Sequence, residues 1–245
     1  MQNIKNFLKS ILAAIYFPWL APAARREIIK ARKETAEPEK AYAWTESLRV
    51  GPDVRGLNIN FRPAQVKSEI LALLSEVRKN PPHLMLEIGT ATGGSLFMLA
   101  RVAAPSAEII SIDLPFGKYG AGYFPYRLPL YQEFASPMQK MHLLRCDSHL
   151  AATEEKLEKI LGGRQLDFLF IDGDHSYEGA KKDFETYKRF VRPGGLVAVH
   201  DIAKTPNNSD SKVEKLWNEI KGQYRNEEYI DDPDQQWAGI GVIHI

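Results

Sequence analysis

The run LFIDGDHSYEG, residues 169–179, sets Asp172, Asp174 and His175 directly behind an apolar stretch. A second junction of the same kind, GLVAVHD at 195–201, ends in His200 and Asp201. Carboxylates and imidazoles are costly to desolvate unless something pairs them. Either two turns simply need polar residues there, or a site needs charges at strand ends. The chemistry open to such a set is proton transfer or metal binding. Two hard oxygen ligands suit Mg²⁺, and an imidazole shifts the preference toward Mn²⁺, Fe²⁺ or Zn²⁺. An Asp or a His can also take the proton of a hydroxyl and make it a nucleophile. The plainer alternative for Asp174-His175 is the N-terminal cap of a helix over YEGAKKDFE, where an acid is favoured without catalysis.

A second chemical element is LEIGTATGGS, residues 86–95. It reads as strand, glycine turn and helix start, where a nucleotide-like ligand can approach backbone N–H groups. The strict G-x-G-x-x-G spacing is absent: Gly89 is followed by Thr90 and Ala91, then Gly93, Gly94 and Ser95. Glu87 stands two residues before Gly89. A negative charge there does nothing for a pyrophosphate but suits an ammonium group. Asp113 closes the next apolar run, ISIDLP, 19 residues past Gly94. A carboxylate at that point can accept both hydroxyls of a ribose. A glycine turn with no ligand is the alternative when the loop is taken alone.

The elements around these groups alternate. HLMLEIG, EIISID, MHLLRC, LDFLFID and GLVAVHD are short apolar runs that suit buried strands. GGSLFMLARVAA, EEKLEKILGG and YEGAKKDFETYKRFV between them carry helical periodicity. Such alternation predicts an open parallel sheet with helices on both faces. AQVKSEILALLSEVRK predicts a helix from Ala64, stopped at Asn80-Pro81-Pro82. After a helix over SKVEKLWNEIKGQY, EEYID and GIGVIHI follow with no helix between, so a terminal hairpin adds an antiparallel strand.

Taken in order, LEIGTATGGSLFMLA, ISIDLP, LLRCDSH, FIDGDHSYEGAKKDFE and VRPGGLVAVHDI resemble a class I S-adenosylmethionine-dependent methyltransferase. Within that class the likeness is to small-molecule O-methyltransferases, including the cephalosporin-hydroxylase-like and sugar or macrolide groups. It covers roughly residues 60–245. The resemblance implies a Rossmann-like, doubly wound α/β fold. Its seven strands would lie in the order 3-2-1-4-5-7-6 with the last antiparallel. Cofactor contacts fall on Glu87, Gly89, Thr90, Ala91, Gly93, Gly94 and Ser95 at the methionine end, Asp113 and Leu114 at the ribose, Asp147 and Ser148 at the adenine, and Asp172. Asp147 as a plain turn residue is the alternative. The resemblance also implies a divalent ion, Mg²⁺ or Mn²⁺, on Asp172, His200 and Asp201, with His200 departing from the usual carboxylate. Asp174 is the first choice of base, His175 the second and His200 the third.

The chain of 245 residues divides into an N-terminal helical extension with a covering loop, 1–63, and a methyltransferase domain, 64–245. Within the covering loop and just after it, Asn58, Asn60, Arg62 and Gln65 are placed to close over the cofactor. Residues 114–131, with Tyr119, Tyr123, Phe124, Tyr126 and Tyr131, form a long loop whose rings either stack on an acceptor or pack on each other. Residues 7–20, FLKSILAAIYFPWL, resemble a weak signal peptide but are too short to span a bilayer, which takes about 20 apolar residues. A helix packed on the domain is expected there, with a homodimer contact or a peripheral membrane contact as its other uses. The net charge of +1 and the lack of a long basic stretch speak against nucleic acid. Cys146 is the single cysteine, which fits the cytoplasm. The expected partner is a small-molecule hydroxyl acceptor. The competing readings are a nicotinamide-dependent dehydrogenase on the same architecture and a cofactor-binding scaffold without catalysis.

Overall fold

The structure is a computed structural model that describes residues 2–52, 58–114, 123–206 and 209–245, with side chains from Ile15 onward. In chain order the elements are α1 (Gln2–Glu34), α2 (Pro38–Ser47), α3 (Lys67–Lys79), β1 (Leu84–Ile88), α4 (Gly94–Val102), β2 (Glu108–Asp113), α5 (Leu128–Gln132), β3 (Lys140–Arg145), α6 (Ala151–Leu161), β4 (Leu166–Ile171), α7 (Tyr177–Tyr187), β5 (Val191–His200), α8 (Val213–Ile220), β6 (Arg225–Tyr229) and β7 (Ile240–His244). The seven strands form one sheet in the order β3-β2-β1-β4-β5-β7-β6. β1 to β5 pair in parallel, and β7 runs antiparallel to both β5 and β6. This is the fold the resemblance implies.

Strand alternation distributes the side chains between two cores. Leu84, Leu86 and Ile88 of β1 pack with apolar residues of α6, α7 and α8, while Met85 points into the other core with α1 to α5. α3 buries Ile70, Leu73, Leu74 and Val77, a spacing that lines up on one helical face. Each such side chain stabilises the fold by about 1.5–3 kcal/mol. α8 does the same with Val213, Leu216, Trp217 and Ile220. Trp217 lies flat over β7, where a Cβ on Gly241 would meet its ring at 2.5 Å.

Two boundaries differ from the sequence reading. The charged, helix-compatible sequence of residues 24–40 suggests a helix that ends around Glu37-Pro38, yet Pro38 opens α2. At the first helical position its missing N–H is no loss and its fixed φ suits the helix. α3 begins at Lys67, not Ala64, because Ala64 and Gln65 bend and Val66 is extended, with ψ 138°. α1 runs through Pro18 and Pro22, each of which costs about 3 kcal/mol in a helix interior. Tertiary packing offsets this. Phe17 meets the Tyr126 ring at 4.8 Å, and Ala24, Ile28 and Ala31 are buried. Arg32 donates to the carbonyls of Glu133 and Ala135 at 3.1 and 2.7 Å.

Candidate active site

The strand ends of β1, β2, β4 and β5 border one cleft of about 460 Å³. Its walls carry Gly89 and Ala91 after β1, Asp113 and Leu114 after β2, and Cys146 to His149 after β3. Asp172 to Ser176 after β4 and His200 at the end of β5 complete it, and Ala64 closes it from the N-terminal side.

On the β1 side the backbone does the shaping. Gly89 has φ +89°, and a Cβ there would lie 2.0 Å from the carbonyl oxygen of Asp172. Gly94 approaches the Phe61 carbonyl as closely, 2.3 Å for an added Cβ. Ala91 is held at φ +45°, uncommon outside glycine. What holds it is Asp113: its Oδ2 accepts the N–H groups of Thr90 and Ala91 at 2.9 and 2.7 Å. Burial raises the Asp113 pKa, while the N–H groups of Ala91, Thr90 and Leu114 pull it back.

Glu87 is fully buried beneath this loop. Its Oε2 accepts from the Thr90 hydroxyl at 2.8 Å, and hydroxyl contacts continue through Ser111 to Tyr123. Its Oε1 has no partner. Burial pushes the carboxyl up to about 8, against the hydroxyls of Ser95 and Thr90. A buried carboxyl with one unpartnered oxygen and no cation beside it is suited to a cationic group brought by a ligand.

On the β4–β5 side the side chains do the work. Asp172 accepts from Gln65 Nε2 at 2.5 Å through Oδ2 and pairs with His200 Nδ1 at 2.9 Å through Oδ1. His200 Nδ1 also lies 3.3 Å from Asp201 Oδ1. The other oxygen of Asp201 pairs with His175 Nδ1. Burial opposes the charge on His200, but the charges of Asp172 and Asp201 outweigh it and raise its pKa to about 9. Burial likewise disfavours the Asp201 carboxylate, yet the hydrogen bond from His175 and the His200 charge bring it down to about 2. His175 is raised above its ordinary value: burial lowers it, and the Asp201 hydrogen bond with the nearby carboxylates wins. Asp201 stands at φ +64°, a region Asp tolerates better than most residues.

The family model described as a methyltransferase domain matches residues 86–202. Over that stretch the chain is similar to a methyltransferase domain. Among solved structures, the O-methyltransferase from Bacillus cereus in complex with SAH is similar at 17% identity, over 75% of this chain and 84% of that one, with a TM-score of 0.52. The O-methyltransferase TomG from Streptomyces achromogenes, involved in tomaymycin synthesis and in complex with SAM, is 17% identical over 88% of this chain and 89% of its own, with a TM-score of 0.55. An uncharacterized protein of Acanthamoeba polyphaga mimivirus is 23% identical over 158 residues. That match spans 59% of this chain and 62% of the viral protein.

The cleft brings most of the sequence-predicted residues together. Gly89, Ala91, Asp113, Leu114, Asp147, Ser148, Asp172, Asp174, His175 and His200 line the cleft. Glu87, Thr90 and Ser95 lie behind its wall, buried. Gly93, at φ +93°, caps α4 and packs against Tyr131, and Gly94 opens that helix.

Asp172, His200 and Asp201 do meet, but as an ion-paired chain. His200 Nδ1 faces both carboxylates, the outer oxygens are taken by Gln65 and His175, and the buried Nε2 of His200 has no partner among the described residues. This donor set does not fit a divalent ion as arranged. The one trio of described residues whose ligand atoms lie within 4.8 Å of one another is Glu76, Glu227 and His244, none of which lines the cleft.

Asp174 is turned toward the start of α7. Its Oδ1 accepts the Ser176 N–H at 2.8 Å, and Ser176 in turn accepts from Gly179 at 3.1 Å. Of the aromatic loop, Tyr119 lies outside the described residues. Tyr123 and Tyr131 are buried and stack on each other at 5.5 Å, and Phe124 stacks on Tyr126 at 5.3 Å. The described rings pack on protein. Gln65 reaches the site, whereas Asn58 is buried and accepts from Asn60, and Arg62 pairs with Glu46 at 2.8 Å. Sequence reasoning missed His149, which lines the cleft with Nε2 3.3 Å from the fully buried Asp183. Its only sequence signal is adjacency to Asp147-Ser148.

Proposed function

We propose that the protein transfers the methyl group of S-adenosylmethionine to a hydroxyl of a small molecule, with His175 as base. A saccharide or glycosylated natural product is the acceptor class. The observation that carries the reading is His175 in the wall of the cleft, with Asp201 paired to its Nδ1 from behind. That two similar structures hold SAH or SAM supports the cofactor.

S-adenosylmethionine supplies a methyl group on a sulfonium, an electrophile that needs no further activation. Glu87, with its unpartnered oxygen, meets the ammonium end. Asp113 and Leu114 meet the ribose, and Asp147, Ser148 and His149 border the adenine end. In the transfer, the acceptor oxygen forms the new O–CH₃ bond as the S–CH₃ bond breaks. The hydroxyl proton goes to His175. Its Nδ1 pairs with Asp201, which steadies the imidazolium that forms. Asp174 serves the α7 cap. No step uses Mg²⁺ or Mn²⁺, because the carboxylates of Asp172 and Asp201 are held by Gln65, His200 and His175. We place the reaction in the cytoplasm, on the lone Cys146. Among the described residues no helix is long and apolar enough to cross a membrane.

Calorimetric titration with S-adenosylmethionine, S-adenosylhomocysteine and NAD tests the cofactor. The two sulfur nucleosides should bind and NAD should not. Near pH 7 a Glu87 with a pKa of about 8 is mostly protonated before the cofactor binds, and the arriving ammonium expels that proton. The binding heat therefore depends on the ionisation heat of the buffer, and Glu87→Gln removes that dependence. NAD binding alone would overturn the methyltransferase reading. A panel of hydroxylated acceptors, followed by S-adenosylhomocysteine release, then identifies the substrate.

A further inference from the structure

We propose that α1 docks the protein on an anionic lipid surface. The proposal rests on charge and on the outward face of the helix. Residues 1–26 contain Lys5, Lys9, Arg25 and Arg26 and no acid; the first is Glu27. With the whole chain at +1, the remaining 219 residues (245 − 26) carry a formal charge of −3 (1 − 4). The positive charge is thus segregated on one end of a protein that is otherwise slightly acidic.

The same stretch carries FLKSILAAIYFPWL, too short to span a bilayer and apolar enough to lie in its surface. The described part of α1 is two-faced. Phe17, Ala24, Ile28 and Ala31 are buried on the domain. Ile15, Tyr16 and Trp19 are 58%, 50% and 83% exposed, and Trp19 is the most exposed of the large hydrophobic residues described. Trp and Tyr are the side chains that favour a membrane–water interface. Arg26 is exposed nearby, and Arg25 shares its charge with Glu133 at 2.7 Å.

A second copy of the chain fits this face less well. A two-fold contact here would bring two net-positive stretches together, with Glu27 and Glu133 offsetting only part of the charge, a like-charge cost. Anionic headgroups supply the missing complement, and each basic residue near such a surface strengthens binding by about fivefold.

Flotation of the purified full chain with vesicles tests this without reference to catalysis. The protein should rise with phosphatidylcholine–phosphatidylglycerol vesicles and not with phosphatidylcholine alone, and added salt should release it. Lys5→Gln and Lys9→Gln should each weaken partitioning by about fivefold. Trp19→Glu should abolish it while leaving thermal unfolding unchanged, since the side chain touches little of the domain. Absence of binding to the anionic vesicles, or equal binding by Trp19→Glu, overturns the proposal. So does sedimentation showing a dimer that Trp19→Glu dissociates, which would make the face a subunit contact.

Discussion

The two sides of the cleft are built from different material. The β1–β2 side is backbone: glycines at positive φ, a strained Ala91, and N–H groups gathered by Asp113. The β4–β5 side is side chain: Gln65, Asp172, His200, Asp201 and His175 in one continuous chain of contacts. A site made of backbone is sensitive to volume, because any Cβ collides with main chain. A site made of ion pairs is sensitive to protonation, because each partner sets the charge of the next. The first side thus looks fitted to hold a ligand of fixed shape, the second to move a proton.

Substitutions can break this contrast. The largest effect is expected from His175→Ala, which should lower turnover by about 10²- to 10⁴-fold while cofactor affinity holds. Steady-state rates beside a cofactor titration separate the two, and an unchanged rate would remove His175 from the chemistry. Gly89→Ala should act the opposite way, through structure. A Cβ 2.0 Å from the Asp172 carbonyl, at φ +89°, should cost about 3 kcal/mol in urea unfolding and weaken cofactor binding with it.

Asp201→Asn sharpens the protonation side. A base works when deprotonated, so activity rises with pH through the His175 pKa, which Asp201 helps to hold above its ordinary value. Without that carboxylate the rising limb should move to lower pH, and the maximal rate should fall as the ring loses its support. A pH–rate profile that stays in place would mean that another group sets it. The smallest effect is expected from Asp174→Ala. Losing the turn at the start of α7 should cost about 1 kcal/mol and leave turnover within a few-fold. Collapse of turnover with binding intact would instead make Asp174 the base.

The apolar strand runs marked the sheet, and the hairpin at the end placed an antiparallel strand, because buried parallel strands leave continuous hydrophobic stretches. Helix boundaries were harder. Pro38 reads as a stop but serves as a start, and Pro18 and Pro22 are tolerated only because Phe17, Ala24 and Ile28 hold α1 on the core. In the site, residue types were readable while their pairings were not. Asp172, His200 and Asp201 look like three ligands in a sequence. Only coordinates show that Gln65 and His175 occupy the outer oxygens. His149 was hidden for a similar reason, since its partner Asp183 lies on α7.

Glu69 of α3 is almost wholly buried. It accepts from the Asp231 N–H at 3.2 Å, from Gln235 Nε2 at 2.6 Å and from the Gly239 N–H at 2.8 Å. Each of these contacts closes more than 160 residues of sequence. β7, which follows them, is also the strand that pairs Ile240 with His200. During synthesis on a ribosome, then, the strand bearing His200 waits with an open edge until Ile240 to His244 have emerged. A nascent chain halted before residue 231 would carry the glycine loop and the His175 junction but not the latch that locks them. The finished cleft would then be among the last parts of the molecule to set.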